Sequence, residues 1–336
     1  MRYIKLGKSD LKVSVIGLGT GQFGCRAWGY GIRYDDKKIV EIVKHAIEYG
    51  INVFDTAEIY GDGLSEKLLG EALKGYDRED FIIISKVAPW NLSYAYVLKA
   101  AEKSLQRLNV KFIDLYLVHY PNPFIPLRQT FKAMERLVKE GKVRYIGVSN
   151  FGCHLLRKAQ ENLSCTEIVA NEIEYNLFSR RAEKRIIPYC IKQGIGIIAY
   201  SPLAGGILSG HYLPNRLPKD RARAFNFYAR NSFIKKAYPL LQLLREIAKE
   251  KGVSVAQIAL AWIIKNPGFI AIPAAITLKQ VKENALASDL TLSPKDIQRI
   301  NENLVDLGIP TYLFDHYVIR PISWTKEAIK HLFLRK

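Results

Sequence analysis

The chain has 336 residues, and 49% of them are hydrophobic, which is enough to bury one large core. Its 50 lysines and arginines exceed its 32 aspartates and glutamates, and the resulting net charge of +18 favours attraction to anions. No compact stripe of arginines and aromatic residues accompanies this charge, so a solvated basic surface is favoured over a nucleic-acid partner.

The N-terminal segment predicts a β-hairpin. Its residues, YIKLGKSDLKVSVIGLGT, alternate between apolar and polar around Lys8-Ser9-Asp10 before they run into a strand. We expect residues 1–14 to form this hairpin as a cap on the fold.

Strands and helices alternate along the rest of the chain. Seven apolar strand segments follow the one that ends the hairpin region: INVFDT, DFIIISK, FIDLYLVHY, VRYIGVSN, EIVANEIEYN, IGIIAYSPL and FIAIPAA. The segments between them have apolar residues at helical spacing, as in DKKIVEIVKHAIEYG and SEKLLGEALKG, where Ser65 is expected to be the cap. Two helices, near 237–251 and 255–265, follow the seventh strand.

Eight strands alternating with helices predict a parallel sheet closed into a (β/α)8 TIM barrel. Because the sequence has no Pro/Ser-rich linker and no low-complexity run, we expect one domain over residues 1–336. This domain would carry a long loop over 203–236, extra C-terminal helices and a basic tail over 305–336.

A nucleotide-binding pattern near the N-terminus does not fit its context. Gly19-Thr20-Gly21-Gln22-Phe23-Gly24 matches G-x-G-x-x-G, which opens a helix in a Rossmann fold. The residues that follow here, CRAWGYGIRYDD, have no helical period. We therefore reject the Rossmann interpretation, although these glycines allow the backbone to approach a ligand closely.

Polar side chains stand at the predicted C-terminal ends of the second to seventh strands, which share one mouth in a parallel barrel. Each alone has an ordinary structural explanation, such as a strand cap, a snorkelling lysine or a packed aromatic ring. Together they place a phenol, an ammonium, a carboxylate and an imidazole in one site. The residues are Asp55 with Tyr60 in the following loop, Lys86, His119, Ser149 with Asn150, Asn171 with Glu172, and Tyr200 with Ser201.

This combination suits the reduction of a carbonyl group. A buried ammonium needs a counter-charge, which Asp55 would provide for Lys86. An ammonium lowers the pKa of a nearby phenol from about 10, so Tyr60 would protonate a developing alkoxide. His119 would donate to the carbonyl oxygen or orient it. No side chain supplies a hydride, so a cofactor must supply it.

Seven spaced blocks occur in order along the chain: FDTAEIYGDGLSEKLLGEAL, SKV at 85–87, DLYLVHYP, GKVRYIGVSNF, NEIEYN, AYSPLAGG and IPAAITLKQVKEN. In this order and over nearly the whole chain, they resemble the aldo-keto reductase family. The resemblance implies a (β/α)8 barrel that reduces aldehydes and ketones reversibly to alcohols without a metal. It also implies NADPH as the cofactor, with NADH as the second choice. The family's four catalytic residues fall on Tyr60, Asp55, Lys86 and His119.

The resemblance further implies where the cofactor and the substrate bind. Ser149, Asn150 and Glu172 would contact the nicotinamide carboxamide, and Tyr200 would stack under the nicotinamide ring. The other implied cofactor residues are Gly19, Thr20, Asp55, Ser201, Leu203, Gly205, Gly206, Lys279, Gln280, Glu283 and Asn284. Aromatic loops suggest a substrate pocket made of Trp28, Tyr60, Trp90, His119 and Phe124.

Glu172 departs from the family pattern, because better-known members carry a glutamine at this position. A carboxylate can accept a hydrogen bond from the carboxamide nitrogen but cannot donate to the carboxamide oxygen. Asn150 would then have to make that donation alone.

The adenosine 2′-phosphate site also departs from the pattern, since Ala274 and Gln280 replace an expected basic residue and an arginine. Lys279 and Lys282 are near enough to substitute as point charges. A further hypothesis is that basic residues of the 203–236 loop contact cofactor phosphate, with a solvated loop as an equal alternative. These residues are Arg216, Lys219, Arg221 and Arg223.

Two other functions remain as alternatives. The first is a non-catalytic, cofactor-sensing subunit of the same fold, such as a channel partner. Such proteins commonly lack the fourth-strand histidine, so His119 favours an enzyme. The second is a nucleic-acid or membrane-surface binder that uses the basic tail IRPISWTKEAIKHLFLRK.

The remaining expectations concern compartment and partners. The four cysteines form no C-x-x-C pair, and the first residues lack the apolar core of an export signal. The uncharged window 193–215 contains five glycines and two prolines, which disfavours a membrane span. We expect a cytoplasmic monomer or weak homo-oligomer that binds a small carbonyl substrate, with no nucleic acid and no membrane as partner.

Overall fold

A computed structural model describes residues 1–214, 216 and 227–304. The predicted C-terminal tail, 305–336, lies outside the described residues. So does most of the loop predicted over 203–236, including Lys219, Arg221 and Arg223.

The described residues contain the predicted hairpin and eight parallel strands. In the hairpin, β1 (Tyr3–Lys5) pairs antiparallel with β2 (Lys12–Ser14). The parallel strands pair in chain order, and bridges from Ile16 to Ala271 and from Gly19 to Ala274 join the first to the last. The predicted (β/α)8 barrel with its hairpin is confirmed. Its strands are β3 (Leu18–Gly19), β4 (Val53–Asp55), β5 (Ile82–Val87), β6 (Ile113–Val118), β7 (Val143–Ser149), β8 (Ile168–Glu174), β9 (Gly196–Tyr200) and β10 (Phe269–Ala271).

Helices follow the strands as the apolar periodicity predicts. In the described part of the chain they are α1 (Asp36–Glu48), α2 (Leu64–Ala72), α3 (Tyr94–Leu108), α4 (Leu127–Lys139), α5 (Cys153–Gln160), α6 (Ile186–Gln193), α7 (Asn231–Lys251), α8 (Val255–Ile264), α9 (Leu278–Leu286) and α10 (Pro294–Glu302). The last of these is an extra C-terminal helix beyond the barrel.

Two local predictions are wrong. Helix α7 begins at Asn231 and not near 237, because Phe233 and Ile234 are buried and extend its apolar face by more than a turn. The last residues of the predicted 203–236 loop are therefore helical. Ser65 does not cap α2, which begins at Leu64. Its hydroxyl is buried and donates to the Thr20 carbonyl oxygen at 3.0 Å.

Alternation along the strands determines which residues face the barrel axis. Successive side chains of a strand point to opposite faces. The central cluster takes every second residue from β5 and β6 and includes both Val169 and Ala170 of β8. It also includes apolar residues of the hairpin, which closes the N-terminal end of the barrel. Its members include Leu6, Leu11, Val13, Val53, Ile82, Ile84, Leu115, Leu117, Ala170, Ile198 and Ile270.

Gly147, in the middle of β7, lies where the barrel interior has no space for a side chain. A β-carbon at this position would lie 2.6 Å from Leu117 Cδ2 and 2.8 Å from the Ala170 carbonyl oxygen. Close-packed interiors do not tolerate such contacts, so glycine is required here by space.

Candidate active site

The inward-facing rows of the barrel end in polar residues at the C-terminal mouth. Val53 is followed two residues later by Asp55, Ile84 by Lys86, and Leu117 by His119. The same alternation continues from Ala170 to Glu172 on β8 and from Ile198 to Tyr200 on β9. The core pattern therefore carries the predicted functional side chains into one mouth.

Lys86 and Asp55 form a buried ion pair at the base of this mouth. The Lys86 Nζ lies 2.7 Å from Asp55 Oδ1 and 2.6 Å from Oδ2, and the two residues are 0% and 2% exposed. It also donates to the Thr56 carbonyl oxygen at 3.0 Å. Burial disfavours the charged amine, but Asp55 and Glu172 outweigh it and raise the pKa of Lys86, which stays protonated.

Glu172 joins this pair from the far side of the barrel. Its Oε2 lies 3.4 Å from Lys86 Nζ, and the residue is 2% exposed. Two carboxyl groups therefore share one ammonium in a site that excludes water. Burial first, and then the neighbouring Asp55, raise the pKa of Glu172 well above the usual glutamate range, while Lys86 acts in the opposite direction.

Tyr60 lies above the ammonium, in the loop between β4 and α2. Its hydroxyl is 3.5 Å from Lys86 Nζ, which also sits 5.1 Å from the centre of the phenol ring. Lys86 lowers the pKa of Tyr60, as expected, but it is not the largest effect. Burial is the largest effect and raises the pKa of Tyr60 above its usual value, although Lys86 opposes this. The phenol therefore keeps its proton throughout the neutral range.

His119 directly follows β6 and faces Tyr60 across the mouth. The two ring centroids are 5.6 Å apart, with the planes nearly perpendicular at 84°. The His119 ring also stacks on Tyr120, with centroids 5.0 Å apart and planes at 16°. The sequence analysis did not select Tyr120, although its position directly after His119 in LVHY is a usable signal.

An amide and hydroxyl network lies beside these residues at the ends of β7 and β9. The Tyr200 hydroxyl donates to Asn150 Oδ1 at 2.9 Å, and Asn150 Nδ2 donates to Ser149 Oγ at 2.9 Å and to the His119 carbonyl oxygen at 3.2 Å. Asn150 has a left-handed backbone with φ 64°. The Ser149 hydroxyl donates to the Glu172 carbonyl oxygen at 3.0 Å, which ties this network to β8.

Asn171 does not belong to the mouth, and this part of the prediction is wrong. Its Nδ2 donates to the Phe151 carbonyl oxygen at 2.9 Å and is fully buried. Because neighbouring residues of a strand point to opposite faces, Glu172 and Asn171 could not both face the axis.

The loop after β9 has an irregular backbone close to the mouth. Ser201 and Ala204 have φ values of 49° and 48°, and Gly205 and Gly206 have 65° and 94°. Leu203 lies between them and accepts a backbone hydrogen bond from Gly206 at 2.8 Å. The Ala204 N–H likewise donates to the Ser201 carbonyl oxygen at 2.9 Å, so the loop is held in this turn by its own backbone hydrogen bonds.

The other predicted cofactor residues lie at β3 and around α9. Gly19 and Thr20 are buried beside β4, and the Thr20 hydroxyl donates to the Asp55 carbonyl oxygen at 2.8 Å. Gln280 Oε1 accepts from the Ile276 N–H at 2.8 Å in the loop before α9. Lys279 is 83% exposed, with Nζ 3.8 Å from Glu283 Oε1, and Asn284 is buried.

The aromatic residues of the predicted pocket differ in exposure. Trp28 and Trp90 are partly buried in short 3-10 helices, whereas Phe124 is 85% exposed. Glu58, which the sequence analysis did not select, fastens the loop that carries Trp90. It accepts from the Ala88 N–H at 2.6 Å and from Asn91 Nδ2 at 3.0 Å.

The described residues contain neither a metal-binding cluster nor a helix that could span a membrane. No group of three or more His, Cys, Asp or Glu side chains is arranged there to hold a metal ion. None of the helices in that part of the chain is both long and apolar enough to cross a membrane.

Several proteins of known class are similar to this chain. It is 41% identical over 283 residues to an uncharacterized oxidoreductase of Mycobacterium tuberculosis, covering 84% of this chain and 86% of that protein. It is 34% identical to methylglyoxal reductase YeaE of Escherichia coli, covering 87% and 92%. It is also 31% identical to a probable voltage-gated potassium channel subunit beta of Arabidopsis thaliana, covering 90% and 96%.

Solved structures agree with this grouping. A thermostable aldo-keto reductase in complex with the inhibitor epalrestat matches with a TM-score of 0.75 and 35% identity, over 90% of this chain and 100% of that one. An aldo/keto reductase from Klebsiella pneumoniae in complex with NADP and acetate matches with a TM-score of 0.70 and 31% identity, over 89% and 94%. The model of the Aldo/keto reductase family matches residues 15–304. The chain therefore belongs to the aldo/keto reductase family.

Proposed function

We propose that this protein reduces aldehydes and ketones to alcohols, reversibly, with NADPH as the hydride donor and without a metal. The observation that carries the proposal is the convergence of Tyr60, Lys86, Asp55 and His119 at one barrel mouth. The Tyr60 hydroxyl is 3.5 Å from Lys86 Nζ, and the His119 ring faces the phenol.

The residues around this centre suit a nicotinamide dinucleotide. Asn150 and Tyr200 form a partly exposed amide and hydroxyl pair beside the mouth. The glycines of the left-handed loop, Gly205 and Gly206, have no side chain, so the loop backbone could approach a pyrophosphate closely. The N-terminus of α9, capped by Thr277 and without an acid in its first turn, suits an anion. Bound NADPH would supply the hydride that no side chain can supply.

Each member of the catalytic group has a distinct role in this proposal. Tyr60 holds the proton that reaches the developing alkoxide oxygen. Lys86 stabilises the negative charge that remains on the phenolate, and Asp55 holds Lys86 charged and in place. His119 orients the carbonyl oxygen toward the Tyr60 hydroxyl. The raised pKa of Tyr60 keeps the donor loaded with its proton before substrate binds.

NADPH is preferred over NADH because the surroundings of α9 are basic and the similar Klebsiella proteins were crystallised with NADP and NADPH. The expected charges are Lys279 and Lys282, both exposed. Gln280 is engaged by the Ile276 N–H and provides no charge. The remaining cofactor contacts are those expected from the family resemblance, with Glu283 and Asn284 at the adenine.

The substrate pocket proposed here comprises Trp28, Tyr60, Trp90, His119 and Phe124. A compact, oxygen-rich carbonyl compound such as methylglyoxal is a suitable first substrate, since the similar Escherichia coli protein is named for it.

We further propose that the protein is a cytoplasmic monomer or weak homo-oligomer. The cytoplasmic location is supported by the four cysteines, which are all free, because thiols stay reduced in the cytosol.

A non-catalytic cofactor-sensing subunit is the second candidate, favoured by the similarity to a plant channel subunit. Turnover separates the two. The EDTA-treated protein should oxidise NADPH in the presence of methylglyoxal and other activated aldehydes, and NADH more slowly. NADPH binding without turnover of any aldehyde or dicarbonyl would favour the sensor. Activity that EDTA abolishes and a divalent ion restores would contradict the metal-free mechanism.

A further inference from the structure

The buried floor of the mouth contains two carboxyl groups but only one amine. Asp55 and Glu172 are each 2% exposed, and both approach the single ammonium of Lys86. Tyr60 is the other titratable group facing them, and its phenol is neutral. Two ionised carboxylates and one ammonium would leave a net negative charge in a water-excluding site, and buried charges without partners are costly.

The contacts of Lys86 show which carboxyl group lacks compensation. An ammonium has three donors. The three nearest acceptors of Lys86 Nζ are the two Asp55 carboxylate oxygens, at 2.6 and 2.7 Å, and the Thr56 carbonyl oxygen, at 3.0 Å, while the Tyr60 hydroxyl is farther away at 3.5 Å. Glu172 Oε2 is 3.4 Å away but poorly aligned, and it has no hydrogen-bond partner among the described residues. Asp55 is therefore the paired carboxylate.

We propose that Glu172 carries a proton at neutral pH and uses it as a hydrogen-bond donor toward the carboxamide of the bound nicotinamide. A carboxylic acid presents one O–H donor and one carbonyl acceptor, as a glutamine amide presents N–H donors and a carbonyl acceptor. The base of the mouth then contains a neutral acid and one ion pair. This inference rests on the proposed function, because it assumes that a nicotinamide binds at the mouth.

The position of Glu172 in the fold suits its proposed role as a hydrogen-bond donor. Its carbonyl oxygen accepts from the Asn150 N–H at 2.8 Å and from the Ser149 hydroxyl at 3.0 Å, so two hydrogen bonds connect β8 to the amide network. Both N–H groups of Asn150 Nδ2 already donate, to Ser149 Oγ and to the His119 carbonyl oxygen, so protonated Glu172 would supply the donation to the carboxamide. When two carboxyl groups lie close together in other acid–base sites, one of them keeps its proton because both cannot be ionised.

Infrared spectroscopy of the cofactor-free protein tests the proton directly. The difference spectrum of wild type minus Glu172→Gln at pH 7 should contain the C=O band of a protonated carboxylic acid that shifts in D2O. Glutamine keeps the size and hydrogen-bonding groups, so the variant should fold. A difference spectrum with carboxylate bands alone would overturn the inference.

NADPH titration, followed by fluorescence, tests the donor role without turnover. Glu172→Gln should bind NADPH at pH 7 within about threefold of wild type, whereas Glu172→Leu, which is neutral but has no donor, should bind about tenfold more weakly. The affinity of wild type for NADPH should decline in alkaline solution as Glu172 loses its proton, by a factor that approaches about tenfold per pH unit. The affinity of Glu172→Gln for NADPH should not show this decline. Equal affinity of all three proteins at every pH would overturn the donor role.

The two measurements also separate this inference from the proposed function. Normal NADPH binding and turnover without the acid band would refute the proton on Glu172 and leave the reductase activity standing. An acid band in a protein that neither binds NADPH nor reduces any aldehyde would refute the reductase and the donor role together.

Discussion

The Lys86 ammonium lies 2.6 and 2.7 Å from the two carboxylate oxygens of Asp55, in a site closed to solvent. The two residues come from neighbouring strands, 31 positions apart in the sequence. The same Nζ is 3.5 Å from the Tyr60 hydroxyl. The ion pair therefore fixes a positive charge directly beneath the phenol that we propose as the proton donor.

Replacing Tyr60 by phenylalanine should remove turnover and spare cofactor binding. The variant loses only the hydroxyl, and positioned acid–base groups contribute about 10²–10⁴-fold to the rate. We expect a fall of that size in kcat/KM for methylglyoxal, with NADPH affinity within about twofold of wild type. Steady-state kinetics and fluorescence titration measure the two quantities. A variant with wild-type kcat/KM would exclude Tyr60 from the mechanism.

Breaking the ion pair should cost stability as well as activity. Lys86→Met leaves Asp55 without a counter-charge, and loss of one partner of a buried pair typically costs about 3–5 kcal/mol. The double variant Lys86→Met with Asp55→Asn buries no ion from this pair. We expect urea unfolding to show a double variant less destabilised than the sum of the single ones, with a coupling of about 0.5–3 kcal/mol. Strict additivity would mean that the two residues do not stabilise each other.

The stability of the protein should depend on pH through Glu172. Folding raises the pKa of Glu172, so the folded chain holds this proton more tightly than the unfolded chain. Above about pH 4.3, the usual glutamate value, only the unfolded chain releases it, and the free energy of unfolding falls as pH rises.

Glu172→Gln lacks this proton but retains Asp55 and Lys86, so it is the matched control. Its free energy of unfolding relative to wild type should increase from pH 5 toward pH 8, by up to about 1.4 kcal/mol per pH unit. Urea unfolding at several pH values gives the difference. A constant difference over this range would show that Glu172 does not titrate differently in the two states.

Adding one methyl group inside the barrel should destabilise it. Gly147→Ala places a β-carbon 2.6 Å from Leu117 Cδ2 and 2.8 Å from the Ala170 carbonyl oxygen, and overpacking of this kind typically costs about 1–3 kcal/mol. Gly152→Ala is the matched control, because nothing lies within 4 Å of its added carbon. Thermal unfolding should show a lower midpoint for Gly147→Ala alone. Equal midpoints would mean that β7 shifts freely within the closed sheet.

The basic segment after β9 should affect NADPH binding if it contacts phosphate. Arg216 is exposed, and its backbone pairs with that of Leu213. Lys219, Arg221 and Arg223 lie outside the described residues. Alanine at each position should raise the dissociation constant about tenfold per lost contact of about 1.4 kcal/mol, and less at moderate salt. If all four variants bind NADPH as tightly as wild type at low and at moderate salt, the loop is solvated and does not contact phosphate.

The sequence alone was sufficient for the architecture. Strands with helices between them require a parallel sheet, and the period of two along each strand decides which residues face inward. Val53 and Asp55, Ile84 and Lys86, and Leu117 and His119 therefore share one face, which places the acid, the lysine and the imidazole at a common mouth. Local rules were weaker at single caps, as Ser65 shows, because a buried hydroxyl can bond to distant backbone instead.

Only the closed barrel decided which groups meet across its axis. Strand β8 is separated from β5 in the sheet by β6 and β7, yet Glu172 reaches within 3.4 Å of Lys86 because closure brings their inward faces together. The net direction of the Tyr60 pKa was also a tertiary property, since it depends on how much water the surrounding loops exclude and not only on the nearest charge. Residue types and spacing specify the partners along each strand, whereas desolvation and contacts across the axis exist only after the sheet has closed.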